Sequence, residues 1–236
     1  MSETSLYSTE RLCKDYGVGQ VLVHALRDVC LKIAQGEFIV VLGPSGSGKS
    51  TLLNLLGGMD SASSGSIRFR GTEISRFSEE QLTDYRRTHV GFVFQLFNLI
   101  PTLTARENVE IAMQIAGKRG PALQMLELVG LGDRAEHFPS QLSGGEQQRV
   151  AIARAVAKEP VVLLCDEPTG ALDYETGKTV LSVLRRVHRQ RGTTVVVVTH
   201  NAAIGVMADR VVKMRSGTVQ EIVTNERPAE AEDLRW

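Results

Sequence analysis

The stretch Gly43-Pro-Ser-Gly-Ser-Gly-Lys-Ser-Thr51 constrains this chain more than any other. It fits the pattern G-x-x-x-x-G-K-[ST], with Gly43, Gly48, Lys49 and Ser50 in the fixed places. Before it, Phe38-Ile-Val-Val-Leu42 is an apolar run rich in β-branched residues, as expected of a buried parallel strand. After it, Lys49 to Leu56 reads as a helix start with Leu52, Leu53, Leu55 and Leu56 to bury. Strand, glycine turn and helix N-terminus in that order aim backbone N–H groups and the positive end of a helix dipole at one phosphate. The cradle is expected to run from Gly43 through Pro44, Ser45, Gly46, Ser47, Gly48, Lys49 and Ser50 to Thr51. Lys49 can reach the β- and γ-phosphates, and the Ser50 hydroxyl can ligate Mg²⁺. An ordinary Gly/Ser turn would leave both the lysine and the hydroxyl unexplained. The expected ligand is a nucleoside triphosphate.

The 236 residues suffice for one large α/β domain with a proper core, or for two small ones. Lys+Arg and Asp+Glu both number 27, so no global field favours nucleic acid or an anionic membrane. Cys13, Cys30 and Cys165 are odd in number and far apart, which fits neither a disulfide framework nor a zinc site, and suits a reducing cytoplasm. The first five residues lack the basic and apolar regions of a signal peptide. No apolar run approaches the ~20 residues that cross a bilayer. Any membrane role is therefore expected to come through a partner.

Along the chain, Ser8 to Lys14 and His24 to Ile33 read as strands ahead of the one feeding the glycine turn. Tyr16 falls in a loop after the first of these, either as plain surface or as a stacking platform for a purine. Ser66 to Arg70 reads as a short strand, Thr83 to Arg87 as the end of a helix, and Val90 to Phe94 as a β run ending on Gln95. Phe97 to Pro101 is expected as a loop. Thr104 to Ala116 has helical spacing, with Thr104 and Glu107 placed for a capping box. Gly117 to Pro121 breaks it, and Leu123 to Val129 is a further helix, so 105–131 reads as an all-helical insert. A second glycine turn, Leu142-Ser-Gly-Gly-Glu146, opens a helix expected over Gln147 to Ala157. Val161 to Cys165 and Val195 to Val198 read as buried strands flanking a helix from Tyr174 to Arg189, so the sheet is expected to be largely parallel. Val211 to Met214 and Thr218 to Val223 form a final hairpin, and 224–236 is expected to be a mobile tail.

Three apolar strands end in useful chemistry: at Gly43, at Asp166-Glu167 and at His200. Open parallel sheets bind ligands outside the carboxyl ends of their strands, so one edge gathers all three. Asp166 suits a second Mg²⁺ anchor. Glu167 can orient and deprotonate a water attacking the γ-phosphate. Alone, Asp-Glu-Pro could equally be a helix N-cap. His200 is either a satisfied loop histidine or a γ-phosphate contact, and Gln95 either a strand cap or a reach to Mg²⁺ and water. Ser143-Gly144-Gly145 forms a second helix N-terminus and hence a spare anion site. A natural use is to close on the γ-phosphate held by another copy of the chain.

Taken together these residues resemble the nucleotide-binding subunits of ATP-binding-cassette (ABC) transporters, from about Tyr7 to Val223. Gly43–Thr51 is similar to the Walker A motif, and Val161–Glu167 to Walker B with its catalytic glutamate. Gln95 looks like the Q-loop, Leu142–Glu146 with Gln147-Gln148-Arg149 the signature motif, and Ala171-Leu172-Asp173 the D-loop. His200 looks like the switch histidine and Tyr16 the adenine-stacking aromatic. The resemblance implies an α/β P-loop ABC-type ATPase domain over 1–223. It would have a β-rich N-terminal subdomain, a mostly parallel core sheet and a helical signature-motif lobe over about 105–158. It implies ATP and Mg²⁺ as ligands, with Ser50, Gln95 and Asp166 on the metal and Glu167, His200 and Gln95 at the chemistry. It also implies a head-to-tail homodimer with two ATP held between the Walker A of one copy and Ser143–Gly145 of the other; a bulky residue at Gly145 is then expected to block closure. A membrane permease at the cytoplasmic face would dock on the Gln95–Pro101 loop and the helical lobe.

Within the family, Phe94 to Asn108, Leu55 to Asp60 and Pro168 to Asp173 are similar to the branch of lipoprotein-releasing, macrolide-exporting, antimicrobial-peptide-resistance and cell-division ATPases. That branch usually works with four-helix permeases, on the export or extraction side. The chain departs from it between Ile111 and Leu126, where it looks a handful of residues shorter. A regulatory cassette that signals through a permease-like partner, and an importer ATPase, share the same motifs. A soluble cassette acting on nucleic acid is disfavoured, since the basic stretch Arg185 to Arg191 reads as a solvated helix face. No nucleic-acid partner is expected.

Overall fold

A computed structural model describes residues 5–18 and 21–235. Two sheets organise the chain. The first is antiparallel, in the order β2-β1-β4-β5, from β1 (Ser5–Val18), β2 (Val21–Ala34), β4 (Ser64–Phe69) and β5 (Thr72–Glu73). β1 and β2 run further than the apolar pattern suggests, because cross-strand pairing carries the ladder from Ser5↔Ala34 to Val18↔Val21.

The second sheet contains β3 (Phe38–Leu42), β6 (Val90–Val93), β7 (Val162–Asp166), β8 (Thr194–Thr199), β9 (Arg210–Arg215) and β10 (Thr218–Thr224). Its order is β10-β9-β3-β8-β7-β6, parallel from β9 to β6, with β10 closing an antiparallel hairpin on β9. The expected largely parallel core is present. Both faces of this sheet are covered, and the strand alternation splits the core into two clusters. Ile39, Val41, Val196 and Val198 face the leucines of α1 (Lys49–Leu56) and the first sheet. Phe38, Val40, Val195 and Val197 face α5 (Gly144–Val156) and α6 (Tyr174–Arg191).

The remaining helices are α2 (Glu79–His89), α3 (Ala105–Ile115) and α4 (Ala122–Leu128). α2 contains the expected closing segment Thr83 to Arg87, runs on to His89, and starts on a capping box formed by Ser78 and Gln81. The α3 capping box forms as expected, with Thr104 accepting from the Glu107 amide and the Glu107 carboxylate accepting from Thr104 N. Val109, Met113, Leu126 and Val150 belong to the same buried cluster as the sheet. The helical insert therefore shares its core with the sheet.

Two expectations are corrected. α5 begins at Gly144, not Gln147, since Ser143 and Glu146 make a capping box that draws both glycines into the first helical turn. The expected mobile tail is packed over its described part. Ala231 and Leu234 are buried at 1% exposure against the α5–α6 side of the sheet, and the Tyr174 hydroxyl donates to Leu234 O at 2.6 Å. Trp236 lies outside the described residues.

Candidate nucleotide site

A cleft of about 700 Å³ opens at the carboxyl ends of β3, β7 and β8, lined by residues 44–51, Gln95, Asp166, Glu167 and His200. The turn that forms its floor depends on two glycines. Gly48 sits at φ 95°, and a Cβ there would come within 2.5 Å of Ala25 O. At Gly43 a Cβ would meet Met214 O at 2.3 Å and Ser47 Oγ at 2.5 Å. Lys49 is buried at 6% exposure, and its ammonium donates to Gly43 O at 2.8 Å and Pro44 O at 3.0 Å. Ser47 Oγ is buried without a hydrogen-bond partner among the described residues. A buried hydroxyl and a buried ammonium around free helix-start amides fit an anionic phosphate chain.

Ser50 Oγ donates to Asp166 Oδ1 at 3.0 Å, which joins the helix start to the end of β7. Burial raises the Asp166 pKa; the Ser50 hydrogen bond works against the rise, the Glu167 charge adds to it, and Lys49 opposes it. Two hard oxygen donors beside a phosphate cradle suit Mg²⁺. Among the described residues no three His, Cys, Asp or Glu side chains form a metal cage, so such an ion would take its remaining ligands from phosphate and water.

Glu167 adopts φ 45°, a left-handed conformation that costs a non-glycine residue on the order of 1 kcal/mol. Its oxygens are both engaged: Thr199 Oγ1 donates to Oε2 at 2.9 Å, and His200 Nδ1 lies 2.9 Å from Oε1. The His200 side chain is otherwise open, at 66% exposure. The Gln95 amide packs near Gly170, where a Cβ would come within 3.1 Å of its Nε2. The strand-end residues expected to converge are thus in one place.

Tyr16 does not line the cleft. It stands beside it, its hydroxyl donating to Asp60 at 2.7 Å and in contact with Thr51 at the end of the phosphate turn. The Lys14 ammonium lies 4.8 Å from the ring centroid and so takes one face, leaving the other for a base. Asp173 caps α6 by accepting from Thr176 N at 3.1 Å.

Ser143, Gly144 and Gly145 do not line the cleft of their own chain. Ser143 N and Oγ both donate to the Glu146 carboxylate, at 2.8 and 2.9 Å, which lowers its pKa, mainly through the backbone bond. The Gly144 and Gly145 amides remain at the helix start, where no turn precedes them to accept. A Cβ on Gly145 would lie 2.0 Å from Thr176 Cγ2, so substitution there disturbs α5–α6 packing within the chain; it is not a clean probe of closure. Gly144 has room: its Cβ would meet Leu172 at 3.4 Å and Phe97 at 3.6 Å.

Three polar residues, of which only Gln148 falls in a motif-like stretch, fasten the site and the loops beside it through backbone carbonyls. Gln148, fully buried on α5, donates to Pro168 O at 2.8 Å, directly after Glu167. Arg154 donates to Phe97 O at 2.9 Å and to Asn98 O, at two consecutive left-handed residues after Gln95. Asn108, fully buried, accepts from Ile100 N and donates to the carbonyls of Ile100, Leu103 and Thr104. The only sequence signal was polarity at positions that helical spacing sends inward.

The fold and the cleft define a P-loop nucleoside triphosphatase. Residues 26–170 match the family model described as ABC transporter. The chain is 49% identical over 214 residues to an ABC transporter ATP-binding protein of Thermotoga maritima, covering 89% of this chain and 91% of that one. It is 46% identical over 221 residues to the lipoprotein-releasing system ATP-binding protein LolD of Geobacter metallireducens, covering 92% and 98%. The dimeric post-hydrolysis structure of the cassette MJ0796 of Methanocaldococcus jannaschii, bound to ADP and Pi, superposes with a TM-score of 0.86. That match has 40% identity and covers 94% of this chain and 99% of that one. The chain belongs to the ABC transporter family, as an ATP-binding and ATP-hydrolysing subunit.

Proposed function

We propose that this chain powers a membrane permease of the lipoprotein-releasing and macrolide-exporting branch, through an ATP-closed homodimer. The observation that carries the dimer is the separation of two anion sites. One cleft holds the phosphate turn with Asp166, Glu167 and His200, while the α5 N-terminus presents its free amides elsewhere on the same chain. One chain has no use for the second; a head-to-tail pair uses both twice.

Residues 43–51 bind the phosphates, and Tyr16 offers its open face to the base. Ser50 and Asp166, with Gln95 at the rim, would hold Mg²⁺, which would supply positive charge to neutralise the phosphates. Glu167 is the general base, steadied by the Thr199 hydroxyl. His200 pairs with Glu167 in this structure; its exposed ring can turn to a γ-phosphate, which releases Oε1 for a water. The water's oxygen attacks the γ-phosphorus, the bond to ADP breaks, and the proton goes to Glu167.

The permease contact belongs to the 95–101 loop and the lobe. Leu96 is 76% exposed and Ile115 62%, and Ile100, Leu123 and Phe138 are also exposed there. Apolar side chains held outward on a stapled loop suit a helix from a membrane partner. In this reading the chain works at the cytoplasmic face of a membrane, supported by the exposed apolar side chains. No helix among the described residues is long and apolar enough to cross one itself.

The test is dimer trapping. Glu167→Gln with ATP is expected to run as a dimer in light scattering, with hydrolysis down by ~10³-fold or more. Adding Gly144→Glu is expected to return it to monomer while nucleotide affinity stays within about twofold, since the carboxylate suits a helix start but repels a γ-phosphate. Hydrolysis by Glu167→Gln at the normal rate removes Glu167 as base, and an unaffected dimer in the double variant removes the composite site. Recovery of Glu167→Gln from solubilised membranes with a four-helix permease identifies the branch.

A further inference from the structure

Residues 225–235 join the two elements that carry His200 and Asp173, and the motif reading gives them no task. At one end, Asn225 Nδ2 donates to Gly205 O at 2.9 Å and Ala208 O at 2.7 Å, and Ala229 N donates to Val206 O at 2.9 Å. Gly205 and Val206 lie in the 3₁₀ turn Ala202–Met207, which starts just after His200 and is capped by the Asn201 side chain. At the other end, the Tyr174 hydroxyl holds Leu234 O at 2.6 Å. Tyr174 is the first residue of α6, immediately after the cap Asp173. Between these ends Ala231 and Leu234 are buried at 1% exposure, Ser182 donates to Glu232, and Arg189 pairs with Glu230.

We propose that this segment is a positioning strap that fixes the turn after His200 against the start of α6, and so sets the approach of the His200 ring to the γ-phosphate. The proposal rests on the role given to His200 above. The exposed acid–base contacts add little, because surface pairs are screened and entropically costly. The anchoring comes from the buried pair Ala231–Leu234 and from Asn225, which satisfies two carbonyls at the end of a short helix. Among the described residues the His200 ring is hydrogen-bonded only to Glu167 Oε1, so its approach to a phosphate depends on the backbone that follows it. The phosphate turn 43–51 and Tyr16 make none of the strap's hydrogen bonds. Strap variants therefore separate turnover from nucleotide binding.

The experiment uses the full chain with Tyr174→Phe, Asn225→Ala and the two combined. Steady-state ATPase, equilibrium binding of a fluorescent ATP analogue and melting temperature are measured for each. A small misplacement of a reacting group costs up to ~10²-fold, so the combined variant is expected to lose about 5–20-fold in kcat. KM and the analogue Kd are expected to stay within twofold, with melting well above the assay temperature. A kcat within twofold of wild type overturns the proposal. So does a parallel fall in kcat and nucleotide affinity, which marks a stability element only. Should the combined variant fail to fold, Tyr174→Phe decides alone, since it removes one hydroxyl and keeps the ring; there a twofold or smaller change overturns the strap. Glu167→Gln is run alongside. Full activity in that control overturns the hydrolysis reading, whereas an inactive control beside fully active strap variants overturns the strap alone.

Discussion

Asp166 shows at the residue scale how this site trades stability for ligand affinity. Burial at the end of β7 raises its pKa from the ordinary aspartate value, and Ser50 donates a hydrogen bond to it that works against the rise. A carboxylic acid with a raised folded pKa binds its proton more tightly in the folded state. Its contribution to stability therefore falls as pH rises through the aspartate range and stays low at neutral pH. Asp166→Asn keeps an acceptor for Ser50 and removes the buried charge. Without nucleotide, the variant is expected to melt above wild type at pH 7, and the gap is expected to close below the aspartate range. Adding Mg²⁺ and ATP should reverse the order, because only the carboxylate makes a strong Mg²⁺ ligand. Thermal melts at neutral and acid pH, with and without Mg-ATP, read both signs. A lower melting point for nucleotide-free Asp166→Asn at pH 7 would show that Asp166 stabilises the fold.

At the scale of elements, the same polar economy holds the lobe. Asn108 lies on the inward face of α3 between Ala105 and Val109, yet its amide ties down four backbone groups of the 100–104 turn. Asn108→Ala leaves Ile100 N and Leu103 O without these partners, while Ile100 O and Thr104 O keep backbone donors from Leu103 N and Asn108 N, at a cost of roughly 1–3 kcal/mol. Denaturant melts measure that loss, and hydrogen exchange is expected to place it in α3 and the 100–104 turn. A loss under 1 kcal/mol would mean that water replaces the side chain. The glycine turn, the strand ends and the Thr104 cap were legible because each combines residue type with spacing. Asn108, Gln148 and Arg154 were not, since their partners are backbone carbonyls, which carry no side-chain signature. In Arg154 the partners are 56 and 57 positions away. The 225–235 strap was misread for a related reason. Its charges and Pro228 suggested solvent, while its buried anchors are only Ala231 and Leu234, too few to form a periodic stripe. Tyr16 was expected in a loop but lies within β1, paired with Val23, because the ladder runs on to Val18; the lysine over its ring comes from a neighbour on the same strand whose inward direction the sequence did not reveal.

For the whole molecule, the proposed head-to-tail dimer would place half of each catalytic site on the second copy. Ser143–Gly145 and the cleft are built on different layers, the first on the lobe side of the shared core and the second at the sheet's edge. Nucleotide binding and association are then linked equilibria, and a ligand that binds only the folded form raises stability by RT ln(1 + [L]/Kd). A hundredfold excess of ATP over Kd gives about 2.7 kcal/mol at one cleft. For a chain of this length that is a rise of roughly 5–11 °C in melting temperature. If the second copy completes the site, Glu167→Gln with ATP must show a further rise that grows with protein concentration, because unfolding then also dissociates a dimer. ADP, lacking the γ-phosphate that the α5 amides would meet, is expected to give the first rise without the second. Differential scanning fluorimetry across a hundredfold range of protein concentration separates the cases. Concentration-independent melting with ATP would mean that each copy closes its own site, and the free amides of Gly144 and Gly145 would then need another anion.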